Sequence, residues 1–168
     1  MRHTKYAFTL VEILIVVTIL GILAAIALPT LQGHIQQARE SAAKDNLRIF
    51  RNAIELYAAQ HNDMPPGYID GDLENPLNAS YVSEQLTKQT TIRGRLVPSW
   101  DVLDYGPYIQ KIPPNPFNGS ADIFILGNGV SFPPSATGDY GWIYKPATKA
   151  IRLDWPGTDA TGTAYYDY

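Results

Sequence analysis

The N-terminal part of the chain is a short basic leader followed by a long apolar run. The leader, residues 1–7, carries basic side chains and no acid, and only Thr18 and Gly21 interrupt the apolar residues between positions 13 and 28. A helix over residues 8–28 rises roughly 30 Å at about 1.5 Å per residue, which is enough to cross the hydrocarbon core of a membrane. Because a basic leader stays on the cytoplasmic side, the chain beyond the run is expected to be exported. The pattern therefore predicts a membrane segment.

The apolar positions keep a helical spacing beyond the membrane segment, in a stripe that is thin and alanine-rich up to Ala43 and broad and bulky from Leu47 onward. The predicted stripe comprises Leu31, Ile35, Ala38, Ala42, Ile49, Ala53 and Leu56, joined halfway by Leu47, Phe50, Ile54 and Tyr57. We predict an amphipathic helical stem over residues 31–62, whose thin first half suits a stalk and whose second half packs on a domain. The proline- and glycine-rich sequence 62–67 ends this helix.

Residues 63–168 contain nearly all the turn-forming residues and predict an exported α+β domain with a loop-rich insert. A short helix over residues 79–88 is expected to turn Tyr81, Val82 and Leu86 inward.

Two or three strands are predicted in the last third of the chain, over residues 123–126, which are few and apolar, 142–145 and 150–154. The last two flank a four-residue turn and predict a hairpin. The alternation of Ile151, Leu153 and Trp155 with Arg152 and Asp154 predicts one face packed on the helix and one face exposed. The tail, residues 156–168, has no assignable regular structure. The predicted fold class is therefore α+β, a long N-terminal α-helix packed on a small antiparallel sheet.

Composition excludes several kinds of function. The chain has 168 residues and no cysteine, so disulfides, thiolate metal sites and cysteine nucleophiles are excluded. The chain has 13 Lys and Arg against 16 Asp and Glu, whereas nucleic-acid binding favours clustered positive charge, so we expect no nucleic-acid partner. The three histidines lack metal-ligand spacing, and neither a nucleophile elbow nor a phosphate-binding glycine loop is present. We therefore expect no enzyme.

Three interpretations of the apolar run are compatible with the residues alone. An ordinary signal peptide could be cut at the small-x-small pattern of residues 25–27, and a plain single-span anchor would be kept whole. A prepilin signal would be cut before the run, between Ala7 and Phe8. Glu12 favours the third interpretation, because a carboxylate beside a membrane run is costly and the free amine of Phe8 on an adjacent subunit could neutralise it.

The sequence Phe8-Thr9-Leu10-Val11-Glu12, followed by the apolar run, resembles the N-terminal methylation motif of type IV pilins and type II secretion pseudopilins. The resemblance implies cleavage between Ala7 and Phe8 by a membrane prepilin peptidase, N-methylation of Phe8, and a role for Glu12 in docking subunits. Ala7 stands where the family usually has glycine, and we still expect processing. The expected organisation is a cleaved leader (1–7), a transmembrane and filament-core helix (8–30), an amphipathic stem (31–62) and a globular domain in the periplasm or outside the cell (63–168).

The exported part also resembles the major pseudopilin of type II secretion systems, over residues 54–67, 105–119 and 141–154. This resemblance implies a pilin fold and a structural subunit of a pseudopilus that supports protein transport. The implied location is the bacterial inner membrane, crossed once, with the C-terminal domain in the periplasm. The implied partners are further copies through the N-terminal helix, the prepilin peptidase and methyltransferase, other pseudopilins and the secretion platform. The alternatives are a type IV pilus subunit for adhesion, motility or DNA uptake, and an exported binding protein or enzyme with an ordinary signal peptide.

The same resemblance implies one inorganic ligand, because major pseudopilins often bind calcium in a C-terminal loop. Asp139, Asp154 and Asp159 are the candidates to supply oxygens. Their spacing is not that of an EF-hand, so no certain cofactor is predicted.

Overall fold

The structure, a computed structural model, describes residues 9–96 and 103–168, without the side chains of residues 27–32. The chain divides into two compact units, residues 1–38 and 39–168. The regular elements are α1 (Leu10–Gln60), α2 (Ala79–Thr87), β1 (Ile123–Ile125), β2 (Trp142–Lys145) and β3 (Ala150–Leu153), with short 3₁₀ turns at Pro146–Thr148 and Tyr165–Asp167. A long N-terminal helix and a small sheet make the chain an α+β protein, which confirms the predicted fold class.

The C-terminal part of α1 supplies one wall of the core of the second unit. Its buried side chains recur every three or four residues and are Ala43, Leu47, Phe50, Ala53, Ile54, Tyr57 and Ala58. The column that begins at Leu47 is therefore confirmed. Ile49 and Leu56 are exposed at 47% and 51%, so the part of the predicted stripe that contained them does not face the core. The helix buries one narrow face, and these two side chains lie outside it.

The sheet has the order β1-β2-β3 and is mixed. The predicted hairpin is confirmed, since β2 and β3 pair antiparallel with Trp142 opposite Leu153. However, β1 pairs parallel to β2, with Ile123 opposite Trp142, whereas an antiparallel sheet was expected. The connection over residues 126–141 is long enough for the crossover that parallel pairing needs. Gly141 permits the close approach at the start of β2, because a Cβ there would lie 2.2 Å from the Ser120 carbonyl oxygen.

Both faces of the central strand β2 are covered. Trp142 and Tyr144 belong to the main core with α1, where the Trp142 ring meets Phe50 edge-on at 5.6 Å. Ile143 points to the opposite face and is only 1% exposed, in a second apolar cluster that includes Tyr166. Arg152 lies opposite Ile143 on this face, and Asp154 is itself buried, so the prediction that the face of Arg152 and Asp154 is exposed is wrong. The crossover and the tail fold over that face, and neither segment has a period that indicates this.

The short helix α2 matches its prediction within one residue at its C-terminal end. Asn78 caps it by accepting a hydrogen bond from the Tyr81 amide at 3.0 Å. Val82 and Leu86 are buried as expected, while Tyr81 is only half-buried. Gln85 is the unexpected inward residue, because its amide donates to the carbonyls of Tyr68 and Gly94 and accepts from the Gly67 amide. One buried polar side chain thus holds the irregular loops around α2.

Candidate functional site

The N-terminal motif forms a capping box at the first turn of α1. The Glu12 carboxylate accepts hydrogen bonds from the amide and the hydroxyl of Thr9, at 3.0 and 2.9 Å. The Glu12 amide donates back to the Thr9 hydroxyl at 3.2 Å. Two amides that would have no partner within the helix are thereby satisfied, and the start of the helix is defined.

Thr9 is a residue that the functional interpretation of the sequence missed. The signal was present, because a threonine three residues before a glutamate at the head of an apolar run is the sequence form of a capping box. Glu12 therefore has a structural role within its own helix. A role of Glu12 in docking subunits has to be tested separately from this structural role. Ala7 and Phe8 lie outside the described residues, so the predicted cleavage and methylation site remains a prediction.

The helix that follows the capping box carries apolar side chains around its whole circumference. Over residues 10–26 every side chain is exposed, and the large apolar ones have exposed fractions between 49% and 83%. Thr18 satisfies its hydroxyl inside the helix by donating to the Leu14 carbonyl at 2.7 Å. A search of the described residues finds no helix that is both long enough and apolar enough to cross a membrane.

Asp154, one of the calcium candidates, is fully buried just after β3. Its carboxylate accepts four hydrogen bonds from the crossover segment, at 2.6 to 3.1 Å: from the Thr137 amide and hydroxyl, the Gly138 amide and the Tyr140 amide. Burial by itself would raise the pKa of Asp154, but these donors outweigh it and hold the pKa below its ordinary value. The carboxylate is the anchor that fixes the crossover between β1 and β2.

Asp159, the second candidate, organises the tail in a similar way. One oxygen accepts from the Thr161 amide, the Thr161 hydroxyl and the Thr163 amide, and the other accepts from the Tyr168 hydroxyl at 2.9 Å. The Lys44 ammonium lies 3.6 Å from the second oxygen. The Thr161 hydroxyl, helped by Tyr168 and the backbone amides, holds the pKa of Asp159 well below its ordinary value.

Asp139, the third candidate, is exposed in the crossover, and its amide donates to the Thr137 hydroxyl at 3.3 Å. Within residues 9–96 and 103–168, no group of three or more His, Asp or Glu side chains is arranged to hold a metal ion. The structure therefore does not bring the three candidate aspartates together as one ligand set.

The tail, which had no predicted structure, is tied to α1 by several polar contacts. The Tyr165 hydroxyl donates to the Glu40 carboxylate at 2.9 Å. The Arg51 guanidinium donates to the main-chain oxygens of Tyr168 and Ile151, at 2.5 and 3.3 Å. These contacts join residues a hundred or more positions apart, so no local pattern could have indicated them.

His61, directly after α1, is buried. Its ring stacks on Tyr57 at 3.8 Å, and Nδ1 lies 2.7 Å from the Tyr57 carbonyl oxygen. Because a carbonyl only accepts, Nδ1 carries a proton, and Nε2 lies 2.9 Å from the Thr90 hydroxyl oxygen. Burial lowers the pKa of His61 and thereby favours the neutral ring.

Comparison with known proteins locates the N-terminal motif within a family. Residues 2–28 match the family described as the prokaryotic N-terminal methylation motif. The chain is 26% identical over 137 residues to the type II secretion system core protein G of Aeromonas hydrophila, an alignment that covers 75% of this chain and 85% of the relative. No solved structure matches the chain significantly.

Two further relatives carry names from pilus biology. Prepilin peptidase-dependent protein D of Escherichia coli K12 is 34% identical over 110 residues, which cover 56% of this chain and 73% of that protein. The type IV major pilin protein PilE1 of Neisseria gonorrhoeae is 29% identical over 102 residues, or 59% of this chain and 62% of the relative. The resemblance inferred from Phe8 to Glu12 is thus confirmed, and the chain belongs to the family of type IV pilin-like proteins with an N-terminal methylation motif.

Proposed function

We propose that the chain is a structural subunit of a type II secretion pseudopilus, which inserts in the inner membrane and polymerises through its N-terminal helix. The observation that carries the proposal is an apolar helix, exposed all round over residues 10–26, with one carboxylate at its beginning. The globular unit is expected in the periplasm, and cleavage before Phe8 prepares the helix for assembly. The proposed role assigns the chain no catalytic activity.

The exposed apolar surface supports the proposal because such a helix has to be shielded from water. Lipid shields it in the membrane, and neighbouring subunits replace the lipid in a filament. Between helices in lipid, association depends on close packing and polar contacts rather than on the hydrophobic effect. Gly21 has open space where a Cβ would lie, and Ala25 follows one turn later. These small residues leave room for a second helix to approach closely.

Glu12 is proposed to direct assembly through its charge. The capping box supplies hydrogen bonds to the carboxylate but does not neutralise it. A net charge is expensive in an environment of low dielectric constant, and an opposite charge lowers the cost. The free amine that cleavage creates at Phe8 of a neighbouring subunit is such a charge. A subunit still carrying its leader has no amine at that position, so assembly would follow processing.

The two roles of Glu12 can be separated by paired substitutions. Glu12→Gln removes the charge, while glutamine at this position keeps the capping box. Thr9→Val removes the cap and leaves the charge. We expect Glu12→Gln to insert in the membrane but to form no filaments, and Thr9→Val to assemble, as measured by sheared filaments and cross-linked ladders. Normal assembly of Glu12→Gln would remove the charge role, and loss of assembly in Thr9→Val alone would assign the motif to capping.

Processing is tested by mass spectrometry of the mature N-terminus. The proposal requires a first residue Phe8 that carries an added methyl group. A mature chain that begins at Leu28 would instead identify an ordinary signal peptide cut after residues 25–27. Ala7→Gly, which restores the usual family residue, is expected to leave the cut position unchanged and to speed processing.

A type IV pilus subunit is the second candidate, because some relatives carry pilin names. Deletion of the gene in the producing bacterium distinguishes the two. Loss of secreted proteins with normal surface filaments supports the pseudopilus, whereas loss of surface filaments with normal secretion supports the pilus.

A further inference from the structure

Two of the three aspartates proposed for calcium, Asp154 and Asp159, already accept hydrogen bonds from donors of the same chain. A carboxylate offers about four acceptor positions in all. Four N–H and O–H groups of Thr137, Gly138 and Tyr140 occupy those of Asp154. Asp159 also accepts four hydrogen bonds: three from Thr161 and Thr163 on one oxygen, and one from Tyr168 on the other oxygen, which faces the Lys44 ammonium.

Calcium needs a different environment from this one. It takes six to eight oxygen ligands with their lone pairs directed at the ion. Around Asp154 and Asp159 the neighbouring groups direct hydrogen atoms, which are the positive ends of their dipoles, at the carboxylates. A cation at either place would displace at least one set of hydrogen bonds and face the remaining donors. The residues present do not fit the calcium site that the family resemblance implies.

Lys44 supplies the positive charge that the tail needs. Its ammonium lies 3.6 Å from the Asp159 carboxylate and 4.2 Å from the centre of the Tyr168 ring. The Tyr168 hydroxyl donates to the same carboxylate oxygen. The Asp159 side chain is only 6% exposed, so solvent screens its charge weakly and an ionic partner matters. A residue of α1 thus closes the tail onto the helix.

We propose that the Lys44 ammonium is a built-in counter-cation for the Asp159 loop, and that the C-terminal region is held on α1 without calcium. The inference does not depend on which filament the subunit builds. It predicts that chelators leave the folded globular unit unchanged, and that removal of one lysine loosens the tail in a way that calcium does not repair.

The first experiment measures thermal unfolding of the full chain in detergent by near-ultraviolet circular dichroism, with EDTA and with millimolar calcium. We expect the same midpoint in both. A calcium site of micromolar affinity would raise the midpoint by several degrees at this thousandfold excess. A calcium-dependent rise in the wild-type chain would therefore overturn the proposal.

The second experiment measures hydrogen exchange of the Thr161 and Thr163 amides, which bond to Asp159. Lys44→Gln is expected to speed their exchange several-fold, with or without calcium. The matched control is Arg48→Gln, one turn along the same helix, whose guanidinium faces Asp45 at 3.5 Å and not the tail. Equal exchange in the two variants, or restoration of Lys44→Gln by calcium, contradicts a role for Lys44 as the counter-cation.

Discussion

The N-terminal and C-terminal parts of α1 have opposite surfaces. Over residues 10–26 apolar side chains surround the helix and all are exposed, whereas over residues 39–60 one narrow apolar face is buried and the rest of the surface is mostly polar. A helix with an apolar stripe covers that stripe with its own domain, while a helix that is apolar all round has to be covered by its surroundings. The difference indicates that one part of the helix serves the fold of the subunit, and it supports the proposal that the other part serves membrane insertion and assembly.

The two parts also differ in what stabilises them. The first has a capping box and helical hydrogen bonds. The second adds a core in which Trp142, Tyr57 and Phe50 are almost completely buried. Core substitutions should therefore alter folding of the subunit, and substitutions on the apolar helix should alter assembly. Four predictions test this comparison, in order of decreasing expected effect.

The largest expected loss of stability follows from removing the central side chain of the core. Trp142→Ala removes a fully buried ring and its hydrogen bond to the Pro113 carbonyl, and should lower the free energy of unfolding by about 3–5 kcal/mol. Urea unfolding followed by circular dichroism measures it. Leu20→Ala, on the exposed apolar helix, is the control and should leave this free energy unchanged. An equal loss in both variants would break the comparison.

Asp154→Asn tests the buried carboxylate. It should lower the free energy of unfolding by about 2 kcal/mol at neutral pH, because hydrogen bonds to a charged group are lost or weakened. The pKa of Asp154 is depressed in the folded state, so its contribution is present above the unfolded pKa of about 4 and is lost as the pH falls through the folded pKa. The difference between wild type and variant should shrink in acid. Asp139→Asn is the exposed control and should cost little at any pH.

His61 should make the stability of the globular unit depend on pH in the mildly acidic range. Because burial lowers the folded pKa below the ordinary 6.5, the unfolded chain binds a proton first. Stability is therefore expected to fall as the pH drops below about 6.5, by at most about 1.4 kcal/mol per pH unit. His61→Gln should be less stable at neutral pH and should flatten this slope between pH 6.5 and 5. An unchanged slope in the variant would assign the pH dependence to other groups.

The smallest expected effect is at the start of α2. Asn78→Ala removes the side-chain cap and should cost about 1 kcal/mol. Ser80→Ala, an exposed change in the first turn of the same helix, should be close to neutral. The denaturant midpoints of the two variants measure how much this local hydrogen bond contributes to the stability of the domain, in comparison with the buried core.

Local patterns predicted much of the fold and part of the site. The column of Leu47, Phe50, Ile54 and Tyr57 has helical spacing, and the β2–β3 hairpin follows from two short strands around a tight turn. The capping box at Thr9 and Glu12 is equally local. It was missed because the carboxylate of Glu12, beside an apolar segment, was interpreted only as a docking group. The exposure of Ile49 and Leu56 could not be predicted, since the spacing marks apolar positions but not which face the domain covers.

The sequence by itself determined the family, the N-terminal motif, the apolar helix and the α+β class, because each depends on residues close together along the chain. Only the tertiary structure decided the parallel pairing of β1, the covered outer face of β2 and the partners of the two aspartates. The distant partners join Asp154 to Thr137 and Asp159 to Lys44, over separations at which no periodicity operates. Whether an aspartate binds a cation or accepts hydrogen bonds depends on the groups that the fold places around it, and the aspartate positions alone do not contain that information.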